Sequence, residues 1–307
     1  MYLPNDLAQK SMLYITEEKV KKILTVPGCI DLLRDAFTRE FVNIPRYRLK
    51  SQNALLHVMS ASIPTLGVIG LKAYTTTKHG NTFAVLLFDE EQGVLLSVLE
   101  ANALGQIRTG AASGLATDLL ANRDVRIGAV IGTGYQAETQ LLAIDAVRRF
   151  EEIRIYSRNP ENRVAFIRKM ADQVRAKLVA TKSAEEAVDA AKVVCTITAA
   201  KEPVLMGAWL QQGCHINAAG GNWPSKRELD SDAIRKCNLI CVDHRDQSKI
   251  ESGDLIGAVD WNEVWELADI VRGKAGRKSA DQITLFKSTG IAVEDIAAAN
   301  FVYQASK

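Results

Sequence analysis

From Asn122 onward the chain alternates short apolar runs with stretches of helical spacing. The runs fall at 126–131, 153–156, 178–180, 193–197, 215–219 and 239–242. Short apolar runs that alternate with helices predict a parallel sheet built from right-handed crossovers. Asn159 before Pro160 places a cap and a first-turn proline, and Ser183 with Glu186 reads as a capping box. The first third has a different rhythm. Residues 17–42 space apolar side chains helically (Val20, Ile23, Leu24, Leu32, Leu33, Phe37), with a break at Pro27-Gly28. Strand-like runs follow at 54–60, 68–74 and 82–88, and the last enters "DEEQG", a hairpin turn before "VLLSVLE". An Ala-rich helix is expected over 99–120, and a last helix within "STGIAVEDIAAANFVYQAS" is expected to return to the first lobe. The pattern therefore predicts an α/β fold: an α+β domain over 1–121, joined by 291–307, and a parallel-sheet domain over 122–290.

A length of 307 residues exceeds one ordinary core, which agrees with two lobes. Apolar residues at 47% and charged residues at 24% exclude a disordered chain. A formal charge of +2, with no basic block interleaved with aromatics, argues against nucleic acid as a partner. The five cysteines (Cys29, Cys195, Cys214, Cys237, Cys241) are odd in number and sit mostly in apolar runs such as "VVCTIT" and "LICVDH". Buried, reduced thiols in a cytoplasmic protein are expected. Cys237 and Cys241 have no second ligand pair, so no metal site is expected. The start "MYLPNDLAQKSMLYIT" lacks a basic region followed by an apolar core, and no apolar run approaches about 18 residues. Neither export nor a membrane partner is expected. His57, His79, His215 and His244 show no i, i+4 pair and no acidic cluster, so they read as structural.

Candidate chemistry begins at Gly132-Thr133-Gly134-Tyr135-Gln136-Ala137, a G-x-G-x-x-A turn directly between a strand and a helix. Gly132 permits the tight turn, Gly134 lets backbone approach a pyrophosphate, and Ala137 allows close helix packing. The free N–H groups of the helix start then face the anion. A bare glycine corner is the alternative, but the strand–turn–helix setting favours a dinucleotide. The second strand ends in Ser157, Arg158 and Asn159, with no carboxylate for a ribose hydroxyl. Arg158, with Arg163 as helper, suits a 2′-phosphate; otherwise Arg158 is a solvated loop cation. NADP(H) is thus preferred and NAD(H) possible. Thr196 and Thr198 fall at the carboxyl edge of the sheet, as cofactor contacts or as helix caps. Glu251 and Asp254 in "ESGD" mark either a functional turn or a capped helix start.

"GTGYQA", "IYSRNPEN", "HINAAGGNWPSKRELD", "ESGDL", "ITLFKSTGIAVED" and "IRTGAASGLAT" together resemble the ornithine cyclodeaminase and μ-crystallin family over about residues 15–303. The resemblance implies a Rossmann-type dinucleotide domain and a substrate-binding and dimerisation domain completed by the C-terminal helix. It also implies a homodimer and hydride transfer between nicotinamide and the Cα of an amino acid through an imine. The family's carboxylate-binding cations match Lys72 in "GLKAY", Arg108 in "IRTGAAS", and either Arg46 or Arg48 in "IPRYRLK". Its substrate-orienting threonine falls at Ala84, with Thr82 two residues earlier on the same strand face. Thr109 beside Arg108 is a cofactor contact on this reading, and Ser288, Thr289 and Gly290 match a turn approaching the nicotinamide amide.

One departure bears on the reaction. Cyclodeaminases carry an aspartate where this chain has Asn222, and an amide cannot relay a proton near neutral pH. Ring-closing deamination is disfavoured, whereas reduction of a formed imine asks less of this position. Lys72 could supply the proton if Arg108 lowers its pKa. The expected activity is an NAD(P)H-dependent imine reductase or amino-acid dehydrogenase acting on a small or cyclic α-imino acid, of the pyrroline-2-carboxylate or iminosuccinate type. Ornithine cyclodeaminase and a non-catalytic NADPH-dependent ligand-binding protein are the alternatives.

Overall fold

The alternating runs of the first third form one six-stranded sheet in a computed structural model that describes residues 12–307. Its strands are β1 (Leu13–Ile15), β2 (Val42–Lys50), β3 (Ala54–Ile63), β4 (Val68–Thr77), β5 (Gly80–Asp89) and β6 (Leu95–Glu100), in the order β1-β6-β5-β4-β3-β2. All pairings are antiparallel except β1 with β6. Period-two alternation turns His57, Met59, Ala61 and Ile63 inward and leaves Leu56, Val58 and Ser60 half-buried on the other face. The inner face is covered by α10 (Ala292–Gln304), which packs across β2, β3, β4 and β5. On the outer face Val42, Ile44, Tyr47, Leu49 and Ile69 are exposed. With α1 (Glu17–Ile23), these elements make one unit: the described residues up to Leu24, then Arg39–Gly105 and Ala292–Lys307.

The second unit comprises Thr25–Thr38 and Gln106–Ile291. It contains α2 (Val26–Thr38), α3 (Asn102–Leu120) from Gln106 on, and an eight-stranded parallel sheet. The sheet elements run β7 (Ile127–Ile131), α4 (Tyr135–Val147), β8 (Glu152–Tyr156), α5 (Pro160–Met170), β9 (Lys177–Ala180), α6 (Ala184–Val188) and β10 (Val193–Thr196). They continue with β11 (His215–Ala218), α7 (Ser231–Lys236), β12 (Leu239–Val242), α8 (Arg245–Glu251), β13 (Trp265–Glu266), α9 (Leu267–Val271) and β14 (Thr284–Lys287). The order β13-β12-β14-β11-β10-β7-β8-β9 reverses direction between β7 and β10, which opens a crevice at the carboxyl ends of those strands. Apolar layers sandwich the sheet, one including Ile131, Val194, Ile216 and Leu285, the other Val130, Leu141, Ile153 and Val193. This is the α/β, Rossmann-type architecture that the sequence pattern implied.

The sequence pattern misses some elements, and "ESGD" is one correction: Glu251 ends α8, so the motif closes a helix rather than starting one. The C-terminal carbonyls of α3 are bound by the buried Arg148, which donates to the carbonyls of Thr117, Asp118, Ala121 and Asn122. Among the described residues no helix is long and apolar enough to cross a membrane.

Helix α3 packs on α4 backbone to backbone at Gly110, where a Cβ would collide with the Thr139 carbonyl. Thr139 Oγ1 donates to the Gln106 carbonyl at 2.8 Å across the same contact. Gly110→Ala is expected to cost about 3 kcal/mol of stability through overpacking, read as a lower urea midpoint at unchanged slope. A wild-type midpoint would contradict this packing.

Candidate active site

The glycine turn sits at the tip of β7, beside the strand-order reversal. Gly132 has φ +121°, its N–H donates to the Tyr156 carbonyl at 2.8 Å, and a Cβ would strike the Ile197 carbonyl. Only glycine fits between these two strand ends. Gly134 caps α4 without any side-chain cap, and no atom lies within 4 Å of where its Cβ would stand. Gln136 Oε1 in the first turn is buried without a hydrogen-bond partner, Ala137 is fully buried, and Tyr135 is exposed. An open backbone, an uncapped helix start and a position at the crevice fit the pyrophosphate of a dinucleotide. Thr133 lies in the same turn.

At the tip of β8 the polar side chains have separate tasks. Asn159 Oδ1 accepts from the Glu161 and Asn162 N–H groups at 2.8 and 3.3 Å and so caps α5. Ser157 Oγ donates to the Asn159 carbonyl at 3.1 Å. Arg163 donates to the Thr181 carbonyl and lies 5.4 Å from the centre of the Tyr156 ring. Arg158 is exposed and has no ion-pair partner among the described residues. Thr109 is half-buried in α3, with its carbonyl accepting from Gln140 at 3.2 Å.

Thr196 and Thr198 are bound to a carboxylate that the sequence analysis did not single out. Glu228, fully buried, accepts from Thr196 Oγ1 (2.9 Å), Gly220 N (2.8 Å), Thr198 N (2.6 Å) and Thr198 Oγ1 (2.8 Å). It thereby ties the ends of β10 and β11 together. Burial pushes its carboxyl above the ordinary range, against the opposing pull of Lys287. Lys287 Nζ lies 2.9 Å from Asp254 Oδ2 with neither side chain exposed, a pairing held by charge rather than by an aligned hydrogen bond. Asp254 Oδ1 in turn accepts from the Glu228 and Leu229 N–H groups at 2.7 and 3.0 Å. Asn222 lies half-buried in the loop between β11 and Glu228. Ser288, Thr289 and Gly290 follow β14 as a buried turn, and the buried Arg108 guanidinium lies against Gly290.

In the first unit, sheet register places the cations. Lys72 pairs with Met59 and Val85 on the inner face, and Arg48 with His57 in the next row, followed by Tyr74 and Phe83. A bulge between Ile44 and Tyr47 resets the alternation of β2, so Ile44, Tyr47 and Leu49 are exposed while Arg46 turns inward with Arg48. The His57 ring stacks on Tyr74 at 4.1 Å, and Tyr74 on Phe83 at 5.0 Å. Burial, then Arg48, then Arg46 lower the His57 pKa to about 4, so the imidazole is neutral at pH 7. Lys72 is 2% exposed, lies 5.5 Å from the centre of the Phe83 ring, and pairs with Asp295 Oδ1 of α10 at 2.8 Å. Thr82 pairs with Thr75, which places it on the opposite face of the sheet from Lys72, as Ala84 also is. The fold thus gathers Arg46, Arg48 and Lys72 on one face without Thr82.

His215 and two of the buried cysteines behave as packing. His215, fully buried, has its pKa lowered to about 3 by burial and contacts Thr284 Oγ1 at 2.9 Å. Burial pushes the Cys195 and Cys214 thiols up to about 12, which leaves them unreactive. Among the described residues no cluster of three or more His, Cys, Asp or Glu side chains could hold a metal.

The Lys72–Asp295 pair sets a stability test. Asp295→Asn removes a buried counter-charge from the Lys72 ammonium and is expected to cost about 3–5 kcal/mol. The Lys72→Met, Asp295→Asn double variant should recover most of that loss in urea unfolding. A double variant as unstable as the sum of both single changes would contradict the pairing.

Comparison with known proteins places this geometry. Residues 10–307 match the model of the ornithine cyclodeaminase/mu-crystallin family. The chain is 36% identical over 267 residues to a Delta(1)-pyrroline-2-carboxylate reductase of Bacillus cereus, covering 82% of each. It is similar to the structure of Thermococcus litoralis Delta(1)-pyrroline-2-carboxylate reductase in complex with NADH and L-proline, with TM-score 0.90, 32% identity, and 96% and 97% of the two chains covered. It is similar also to an archaeal alanine dehydrogenase dimer with bound NAD, with TM-score 0.89, 28% identity, and 96% of each chain covered. The chain belongs to the ornithine cyclodeaminase/mu-crystallin family.

Proposed function

We propose that this chain is an NAD(P)H-dependent imine reductase that interconverts a small or cyclic α-imino acid, of the pyrroline-2-carboxylate or iminosuccinate type, with the L-amino acid. The observation that carries the reading is the inward face of the first sheet, which Arg46, Arg48 and Lys72 share with a neutral His57. Such a face suits a carboxylate, and Arg can hold it through paired hydrogen bonds. Arg108 is a further carboxylate-binding cation on this reading, as the family resemblance implies. The relatives named pyrroline-2-carboxylate reductase support the imine substrate. When bound at the turn 132–137, the dinucleotide supplies or takes up the hydride at Cα.

The chain's own residues bind and orient. Such cations fix the carboxylate and hence the Cα attached to it, which is worth more than binding alone because it removes orientational freedom. Asn222 holds the amine or a water by hydrogen bonds and does not titrate, so it suits an imine that arrives formed and not a ring closure that needs an acid–base group. The proton on nitrogen comes with the imine, from water, or from Lys72.

NADP(H) is the preferred cofactor on this proposal, because Arg158 stands exposed at the β8 tip with no carboxylate in 157–159 to repel a 2′-phosphate. NAD(H) remains usable. The exposed apolar face with Val42, Ile44, Tyr47, Leu49 and Ile69 is assigned to a homodimer interface, in keeping with the archaeal alanine dehydrogenase dimer. Buried free thiols support a cytoplasmic protein that works on a small molecule.

The test is nicotinamide absorbance with NADPH and NADH in parallel against pyrroline-2-carboxylate, piperideine-2-carboxylate, iminosuccinate, and pyruvate with ammonia. Oxidation is expected with at least one imine and faster with NADPH; Arg158→Ala should cut kcat/KM for NADPH about tenfold and leave NADH nearly unchanged. Silence with every imine, or ammonia released from ornithine without absorbance change, would overturn the reading.

A further inference from the structure

Asp243 follows β12 directly and is 1% exposed. One of its oxygens, Oδ2, accepts three hydrogen bonds from the turn after β14: Ser288 Oγ at 3.1 Å, Thr289 N at 2.5 Å and Gly290 N at 2.6 Å. Two successive backbone N–H groups aimed at one anion fix the turn's conformation. Gln247 of α8 grips the turn by its other polar groups. Its Nε2 donates to the Gly290 carbonyl at 2.6 Å and to Thr289 Oγ1 at 3.3 Å, and it also reaches Glu251 Oε2 at 3.1 Å. The turn is therefore held through donors and acceptors alike.

What this fixation serves is visible at Gly290. Its φ is +73°, and a Cβ there would stand 2.6 and 2.9 Å from Arg108 Nη1 and Nη2. The guanidinium thus rests on bare backbone, where only glycine leaves room. Arg108 is itself 6% exposed, so its orientation is set by what surrounds it. Burial pushes the Asp243 carboxyl up, while the two backbone N–H groups and the Arg108 charge draw it down.

We propose that Asp243 is a positioning residue: it fixes the turn 288–290, the turn seats the Arg108 guanidinium, and the carboxylate of Asp243 thereby sets how Arg108 meets a substrate carboxylate. The last step rests on the reading of Arg108 under Proposed function; the first two do not. Asp243 touches no substrate on this account.

The test uses Asp243→Asn, which keeps size and one acceptor oxygen, in the full chain. Modification of Arg108 by phenylglyoxal, followed by peptide mass spectrometry, is expected to speed up severalfold, with Arg148 as the unchanged internal control. In parallel the KM for pyrroline-2-carboxylate should rise about tenfold, and the rise should vanish in an Arg108→Ala background. Gly290→Ala displaces the guanidinium without touching the carboxylate and should give the same two effects, so it decides the matter if Asp243→Asn does not fold. An unchanged Arg108 modification rate in a folded variant, or an equal KM penalty in the Arg108→Ala background, would overturn the proposal. If the wild-type protein reduces no imine, the function reading falls while the modification rates still decide the positioning.

Discussion

Lys72 and Asp295 meet with almost no exposed surface on either side chain, and the first unit is organised around that pair. A charge removed from water loses several kcal/mol of solvation, so it persists only where an opposite charge or hydrogen bonds replace the solvent. The sheet supplies the cation from β4 and the last helix supplies the anion, 223 residues later in the chain. Holding α10 against the inner face is therefore inseparable from holding Lys72. The second unit obeys the same constraint three times: Lys287 with Asp254, Glu228 with four donors, and Asp243 with three. Each of these buried carboxylates fixes loop or strand-end backbone at the carboxyl edge of the parallel sheet. Function gains from this expense because a group locked before binding needs little reorganisation on binding.

The parallel sheet was legible because short apolar runs alternate with helical spacing, and six of its eight strands appeared that way, four of them (β7, β10, β11 and β12) nearly all buried. The two others escaped for local reasons. β13 is two residues long, and β14, central in the sheet, is a four-residue strand ending in the buried Lys287, a charge where the pattern asks for an apolar side chain. In the first unit β2 was unreadable because Pro45 and three basic residues interrupt it and the bulge shifts its phase. That same bulge turns Arg46 and Arg48 to one face of the sheet.

The glycine turn was readable because its chemistry is local: six consecutive residues carry strand end, turn and helix start. Lys72 and Arg108 came from family resemblance. Their surroundings were not visible, because Asp295, Asp243 and Glu228 find their partners tens to hundreds of residues away. A signal was nonetheless present. Asp295 stands in the Ala-rich run "IAVEDIAAAN", and Asp243 directly follows "LICV". A carboxylate inside or at the end of an apolar run must be compensated somewhere, and that reasoning would have marked both. Thr196 and Thr198 show the reverse case: well placed at the sheet edge, their hydroxyls are taken by Glu228.

What these features share is buried charge fixed in advance by hydrogen bonds or an opposite charge, in each unit by itself. On the proposed function, hydride passes between the nicotinamide and the Cα of an imino acid. Incubation of the wild-type protein with pyrroline-2-carboxylate and nicotinamide cofactor deuterated at C4, in separate experiments for each face of the ring, tests it by mass spectrometry of the product. The account predicts deuterium at Cα of L-proline with one of the two labelled forms. Cofactor oxidation with no label in proline from either form would contradict it.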